Sequence, residues 1–145
     1  MKLSTKGRYG LKAMIDLADF SEEAPQSIMC IAQRLSLSDS YLEQLMAKLR
    51  KAGLIKSIRG AQGGYVLARD SSGISVGDIL RALEGDLKPV DCMGIRGEEC
   101  KTGECCPSRI VWQKIDESIQ STIDSIYLNE LVEDNRRMRE EKSEA

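Results

Sequence analysis

Histidine is absent from the 145-residue chain, and that absence excludes more than any other feature. Ser-His-Asp hydrolases, Cys-His proteases, HExxH metalloproteases and zinc sites with an imidazole ligand all require it. The chemistry points away from an enzyme. Aromatic residues are scarce at 4%, with one Phe and one Trp, so the core has to be built from Leu, Ile, Val, Met and Ala. No apolar run approaches 18 residues, which argues against a membrane span. The opening MKLSTKGRYG lacks the apolar h-region of a signal peptide, so the expected location is the cytoplasm. A hydrophobic share of 41% is ordinary for a folded soluble chain. The length suits one modest domain, or a small domain with an appended element.

Net charge is only −2, but it is unevenly spread. Residues 1–70 hold 11 Lys/Arg against 7 Asp/Glu, residues 71–106 hold 4 against 7, and residues 107–145 hold 6 against 9. Lys48, Arg50, Lys51, Lys56 and Arg59 lie in an acid-free stretch. A basic front half beside an acidic remainder suggests a polyanion partner for the front half; a plain solvated basic face would look similar.

Apolar positions set the element pattern. Leu11, Met14, Ile15, Leu17 and Ala18 predict a helix from Tyr9 to Phe20, broken by SEEAPQ. A second helix is expected at 27–35 behind Ser27. A third runs from a Ser38 or Asp39 cap to about Ala52, with Leu42, Leu45, Met46 and Leu49 buried and Gly53 just past its end. LIKSI, RGAQGG and YVLA read as a hairpin around a Gly-rich turn, and ISVGDILRALEG as a fourth helix capped by Ser75. The expected fold is mainly α with a small β-hairpin wing: a winged helix-turn-helix over residues 1–84, followed by a long dimerisation helix.

Residues 85–107 differ in kind, carrying four of the five cysteines and little apolar material. They read as a sensor loop ordered by a ligand, or else disordered. Periodicity resumes in residues 108–134 with Trp112, Ile115, Ile119, Ile123 and Ile126. That seam is long for a helix burying one face in so small a domain, and packing against a second copy resolves it. Residues 135–145, nearly all charged, are expected to form a flexible tail.

Helix, short turn, helix and basic hairpin is the order of a DNA-reading winged helix. On the third helix the outward positions are Ser38, Ser40, Tyr41, Glu43 and Gln44. Serines donate to phosphates or bases, and Gln pairs bidentately with adenine. Glu43 repels phosphate, so it must accept from cytosine N4 or penalise wrong sequences. Lys48 and Lys51 suit phosphates. Arg59 at the wing suits a narrow minor groove, and Gly63 within the wing turn permits close backbone approach. The alternative is an ordinary small helical fold with a surface hairpin.

SYLEQL (40–45), LRKAGL (49–54) and RGAQGGY (59–65) closely resemble the Rrf-type family of bacterial repressors. The likeness runs from about Met1 to Ile126. The family includes the iron–sulfur regulator IscR, the nitric-oxide sensor NsrR and the cysteine-metabolism repressor CymR. The resemblance implies a homodimer on a roughly palindromic double-stranded operator, with each third helix in a major groove and each wing in a minor groove. It implies DNA contacts at Ser38, Ser40, Tyr41, Gln44 and Arg59, with Glu43 tuning sequence choice.

Cys92, Cys100 and Cys106 match the three loop cysteines of the cluster-binding relatives. Those relatives usually have a histidine three residues after the last cysteine; here Arg109 stands there and cannot ligate. The aspartate that NsrR types contribute from near the partner's N-terminus is matched by Arg8. Cys105 is the available fourth ligand, although adjacent cysteines seldom face one site without strain. Three readings stay open: an iron–sulfur cluster ([2Fe–2S] first, [4Fe–4S] as a variant), a metal-free thiol switch or CymR-like repressor controlled by a partner protein, and zinc on four cysteines. Cys30, on the second helix, is expected to be a small buried hydrophobe.

Overall fold

Four serines set the helix starts of the reading half. Ser4, Ser27, Ser38 and Ser75 occupy N-cap positions, and their hydroxyls accept the backbone N–H of Lys6, Cys30, Tyr41 and Asp78 respectively. Each bond satisfies one of the donors left free by a helix start. The Asp78 carboxylate reaches back to the Ser75 N–H and completes a capping box. The computed structural model describes residues 3–90 and 107–144.

The order is α1 (Thr5–Phe20), α2 (Ile28–Leu35), α3 (Asp39–Lys51), β1 (Ile55–Ile58), β2 (Gly64–Leu67), a short 3-10 turn at Ser71–Gly73, α4 (Val76–Glu84), α5 (Arg109–Ser125) and α6 (Leu128–Glu144). Strands β1 and β2 pair antiparallel, Ile55 opposite Leu67 and Ile58 opposite Gly64. α3 ends at Lys51 with Ala52 as its C-cap, and Gly53 follows at φ +79°, a conformation that suits a residue without a side chain.

The core lies where α1, α2, α3 and α4 converge. Met14, Leu17, Ile31, Leu42, Met46, Leu49 and Ile79 are fully buried, and Leu45 nearly so. Burying each such side chain contributes roughly 2 kcal/mol. α1 and α4 approach closely because α1 has glycines on its inner face. A Cβ at Gly7 would lie 2.7 Å from the Glu84 carboxylate, and one at Gly10 would lie 2.2 Å from a Leu83 methyl. A second, smaller cluster of Val76, Leu80 and Leu87 packs with Ile123, Ile126 and Leu131.

Three expectations are corrected. α1 begins at Thr5, not Tyr9. The seam residues Trp112, Ile115, Ile119 and Ile123 do share one helix, but residues 108–134 do not: α5 stops at Ser125, and the corner at Ile126 joins the head through backbone bonds, Val76 N–H to Ile126 C=O (2.8 Å) and Leu128 N–H to Ile74 C=O (2.9 Å). Residues 135–144 are helical, anchored at their start and exposed from 137 onward. They continue α6, and Arg136 and Arg139 close on the buried carboxylate of Asp19 on α1.

Candidate nucleic-acid interface

The face of α3 opposite its buried stripe is open. Ser38, Ser40, Glu43, Gln44, Lys48 and Lys51 are exposed, and Tyr41 is half-buried at the edge of that face. Amphipathic spacing produces the split: 42, 45, 46 and 49 turn inward, so 40, 43, 44, 47, 48 and 51 turn outward. The basic residues also fit the helix itself, since Lys48, Arg50 and Lys51 stand in the last turn and Asp39 in the first, where each charge matches the local end of the helix dipole.

Two of the predicted contact residues have internal roles. The Ser38 hydroxyl accepts from Tyr41 N–H at 3.2 Å, which leaves its hydrogen available to donate outward. The Tyr41 hydroxyl donates to Thr5 Oγ1 at 3.2 Å. Its ring stands edge-on to Tyr9, centroids 6.3 Å apart at 86°, a favourable aromatic geometry. Lys12 Nζ lies 5.3 Å from the centre of the Tyr9 ring. The head of α3 is therefore propped by α1.

The hairpin tip spans residues 59–63, with Arg59 exposed at its start. Gly63 N–H donates to Gly60 C=O at 3.0 Å, and a Cβ at Gly63 would sit 2.1 Å from the Ile58 carbonyl oxygen; no larger residue fits this turn as it stands. The wing is tied to the helix pair where Gln26, just before α2, exchanges backbone bonds with Tyr65 at 3.0 and 2.7 Å. Arg34 on α2 fixes the other side. Its guanidinium grips Asp16 at 2.8–3.1 Å, donates to Gln26 at 2.9 Å and lies 4.1 Å over the Phe20 ring. The hydrogen bonds it donates to Asp16 hold the Arg34 pKa above its ordinary value.

The α1 contribution is not visible along the chain. Thr5 and Tyr41 lie 36 residues apart, and Ser4 and Glu84 lie 80 apart; no periodicity links such positions. Cys92, Cys100, Cys105 and Cys106 lie outside the described residues. Among the described residues no three carboxylates, thiols or imidazoles cluster so as to hold a metal ion. Cys30 is free and exposed, contrary to the expectation of burial, because its neighbours Ile31 and Ala32 take the inward positions of α2.

A capped helix pair, a third helix with basic residues in its last turn and a two-stranded wing define a winged helix-turn-helix protein. The chain belongs to the Rrf2 family: the family model described as "Iron-dependent Transcriptional regulator" matches residues 3–134. It is 47% identical over 131 residues to the HTH-type transcriptional regulator CymR of Bacillus subtilis (strain 168), covering 90% of this chain and 89% of that one. It is 41% identical over 132 residues to IscR of Yersinia pestis, covering 91% and 79%. The structure of CymR (YrzC), the global cysteine regulator of B. subtilis, superposes with TM-score 0.76 at 45% identity over 92% of this chain and 97% of that one. T. potens IscR does so with TM-score 0.73 at 48% identity over 93% and 88%. These relatives are named as transcriptional regulators, and this chain is a regulator of that family, not an enzyme. Among the described residues no helix is long and apolar enough to cross a membrane.

Proposed function

We propose that the chain is a homodimeric repressor, acting in the cytoplasm, that binds a palindromic double-stranded operator under control of its cysteine segment. The observation that carries this is the division of α3, whose inner stripe is sealed in the core while Ser40, Glu43 and Gln44 stand exposed at its N-terminal end. Only that end of a recognition helix enters the major groove. Gln44 pairs with adenine, Glu43 accepts from cytosine or rejects other bases, and Ser38, Ser40 and Tyr41 serve bases or phosphates. Lys48 and Lys51 neutralise phosphates, and the wing places Arg59 in the flanking minor groove, with Gly63 letting the backbone close on it. The dimer is supported by α5, where Ile110, Val111 and Ile115 are 59%, 50% and 40% exposed, unusual for an apolar helix face without a partner.

For the sensor we infer a [2Fe–2S] cluster on Cys92, Cys100 and Cys106, with Cys105 the available fourth ligand. Soft thiolates in a histidine-free chain form a donor set that suits it. When bound, it supplies a redox- and nitric-oxide-sensitive group between the reading head and α5. The chain's part is to convert the state of that segment into the spacing of two reading heads, which half-site geometry makes decisive. A second reading is metal-free control by thiol oxidation or a partner protein, supported by the 47% identity to the cysteine regulator CymR, which the 48% identity to T. potens IscR matches.

Anaerobic purification with visible absorbance and iron, sulfide and zinc assays separates the readings. Brown protein with about two irons and two sulfides per chain is the expected result; a ratio nearer four each changes the cluster type. Colourless, metal-free protein that still binds DNA transfers control to the second reading. Replacing Cys92, Cys100 and Cys106 together by alanine should abolish the response to cluster status while leaving a folded dimer.

A further inference from the structure

α1 starts with a local contradiction. Its first turn contains no acidic residue, while Lys6 and Arg8 are basic, the unfavourable sign for the positive end of a helix dipole. The missing anion arrives from α4. Glu84, the last residue of that helix, places Oε1 2.9 Å from Ser4 N, 2.5 Å from Ser4 Oγ and 2.8 Å from Gly7 N, all three groups donating to it. A Cβ at Gly7 would sit 2.7 Å from the same oxygen and displace the carboxylate from this position.

Thr5 sits between Ser4 and Gly7 in the turn that Glu84 grips, and it accepts the Tyr41 hydroxyl at 3.2 Å. One turn on, Tyr9 supports the Tyr41 ring. Tyr41 is the third residue of α3, and its N–H is the one that Ser38 caps. A short route of direct contacts thus runs from Glu84 through the first turn of α1 to the head of α3, beside Ser40 and Gln44.

We propose that Glu84 is a positioning residue for operator binding: by seating the first turn of α1 it fixes Thr5, and through Thr5 the hydroxyl of Tyr41 and the aim of α3. This rests on the reading that α3 contacts DNA. The chain passes directly from Glu84 into the segment that carries Cys92, so the contact stands at the junction of sensor and reading head.

The test is a double-mutant cycle in the full-length protein. Operator affinity is read by fluorescence anisotropy on a duplex that the parent selects from a randomised pool, with circular dichroism melts as the folding control. Glu84→Ala is expected to weaken binding about tenfold and Thr5→Val about fivefold, within the range seen for residues that couple to a site without touching the ligand. In a Tyr41→Phe background the Glu84→Ala loss should shrink to less than about twofold, because the route is already cut. Glu84→Gln, which keeps a hydrogen-bond acceptor, should recover most of the affinity. If Glu84→Ala proves unfolded, Thr5→Val combined with Tyr41→Phe decides: non-additive losses support the route, additive losses overturn it. Equal Glu84→Ala losses in both backgrounds would mean that Glu84 does not act through the Tyr41 hydroxyl and would overturn the proposal, as would parent-like binding by Glu84→Ala. If Gln44→Ala binds the duplex as the parent does, the reading of α3 fails and this proposal falls with it.

Discussion

Asp19 of α1 and Arg136 of α6 meet at 2.7 Å although 117 residues separate them. The Asp19 side chain is only 4% exposed and also receives Arg139. Removing the arginines would leave this buried carboxylate with only a long hydrogen bond from Asn135, at 3.4 Å. Truncation after Asn135 should therefore destabilise the protein by about 2 kcal/mol, a figure discounted for the half-exposed arginines. Urea unfolding measures it, and a truncated chain as stable as the parent would restore the picture of a solvated tail.

Neighbours on α3 should separate stability from affinity. Leu45→Ala removes a side chain that is 1% exposed and should cost about 2–5 kcal/mol in unfolding experiments. Gln44→Ala, one residue away and exposed, should leave the melt nearly unchanged and weaken operator binding by about 1–3 kcal/mol. A reversed pattern would refute the assigned faces.

Ile115 is 40% exposed on α5. Ile115→Arg should convert a sedimenting dimer to monomer at micromolar concentration, with helical content retained. Loss of palindromic operator binding should follow, since one reading head engages only one half-site. A variant that stays dimeric places the interface elsewhere.

Glu84 also predicts a pH effect. Burial pushes its carboxyl up, but the bonds from Ser4 and Gly7 and the Lys6 charge outweigh this and hold the pKa below its ordinary value. A carboxyl depressed in the fold stabilises above its unfolded pKa of about 4.3 and loses that contribution as pH falls through the lower folded value. Parent stability should therefore decline on acidification below about pH 4.3, and the Glu84→Gln profile should be flatter there. Asp70 is likewise held low, by Ser72, so the informative quantity is the difference between variant and parent. Parallel profiles would show that Glu84 is not the titrating group.

Much of the architecture can be read along the chain because it is locally encoded. The serine caps, the inward stripe of α3 and the Gly-rich wing each announce themselves within a few residues. The start of α1 is hidden because Gly7 and Gly10 weaken its helical signature, and they are there for contacts with α4, 77 residues on in the case of Gly7 and Glu84. The break between α5 and α6 is hidden for a related reason. Ile123 and Ile126 keep the helical spacing of the seam yet pack into the second cluster, and the corner is made by backbone bonds that side-chain periodicity does not register. The charged residues after Asn135 look like a tail until their partner, Asp19, is in view. On the open face of α3 the outward residues are legible, but the support from Thr5, Tyr9 and Glu84 is not, because it exists only once α1, α3 and α4 are packed.

The joint at Ile126–Leu128 has an evolutionary corollary. Its two hydrogen bonds are made by main-chain groups of Val76, Ile126, Leu128 and Ile74, and nearly any side chain leaves those groups in place; among the natural residues only proline deletes such a donor. These two bonds therefore survive drift, whereas the side chains that lock α5 and α6 to the head, Leu128, Val132, Asp124 and Arg136, do not have that freedom; only the outward positions of α5 and α6 can change, and with them the partners and signals they serve, without loosening the joint.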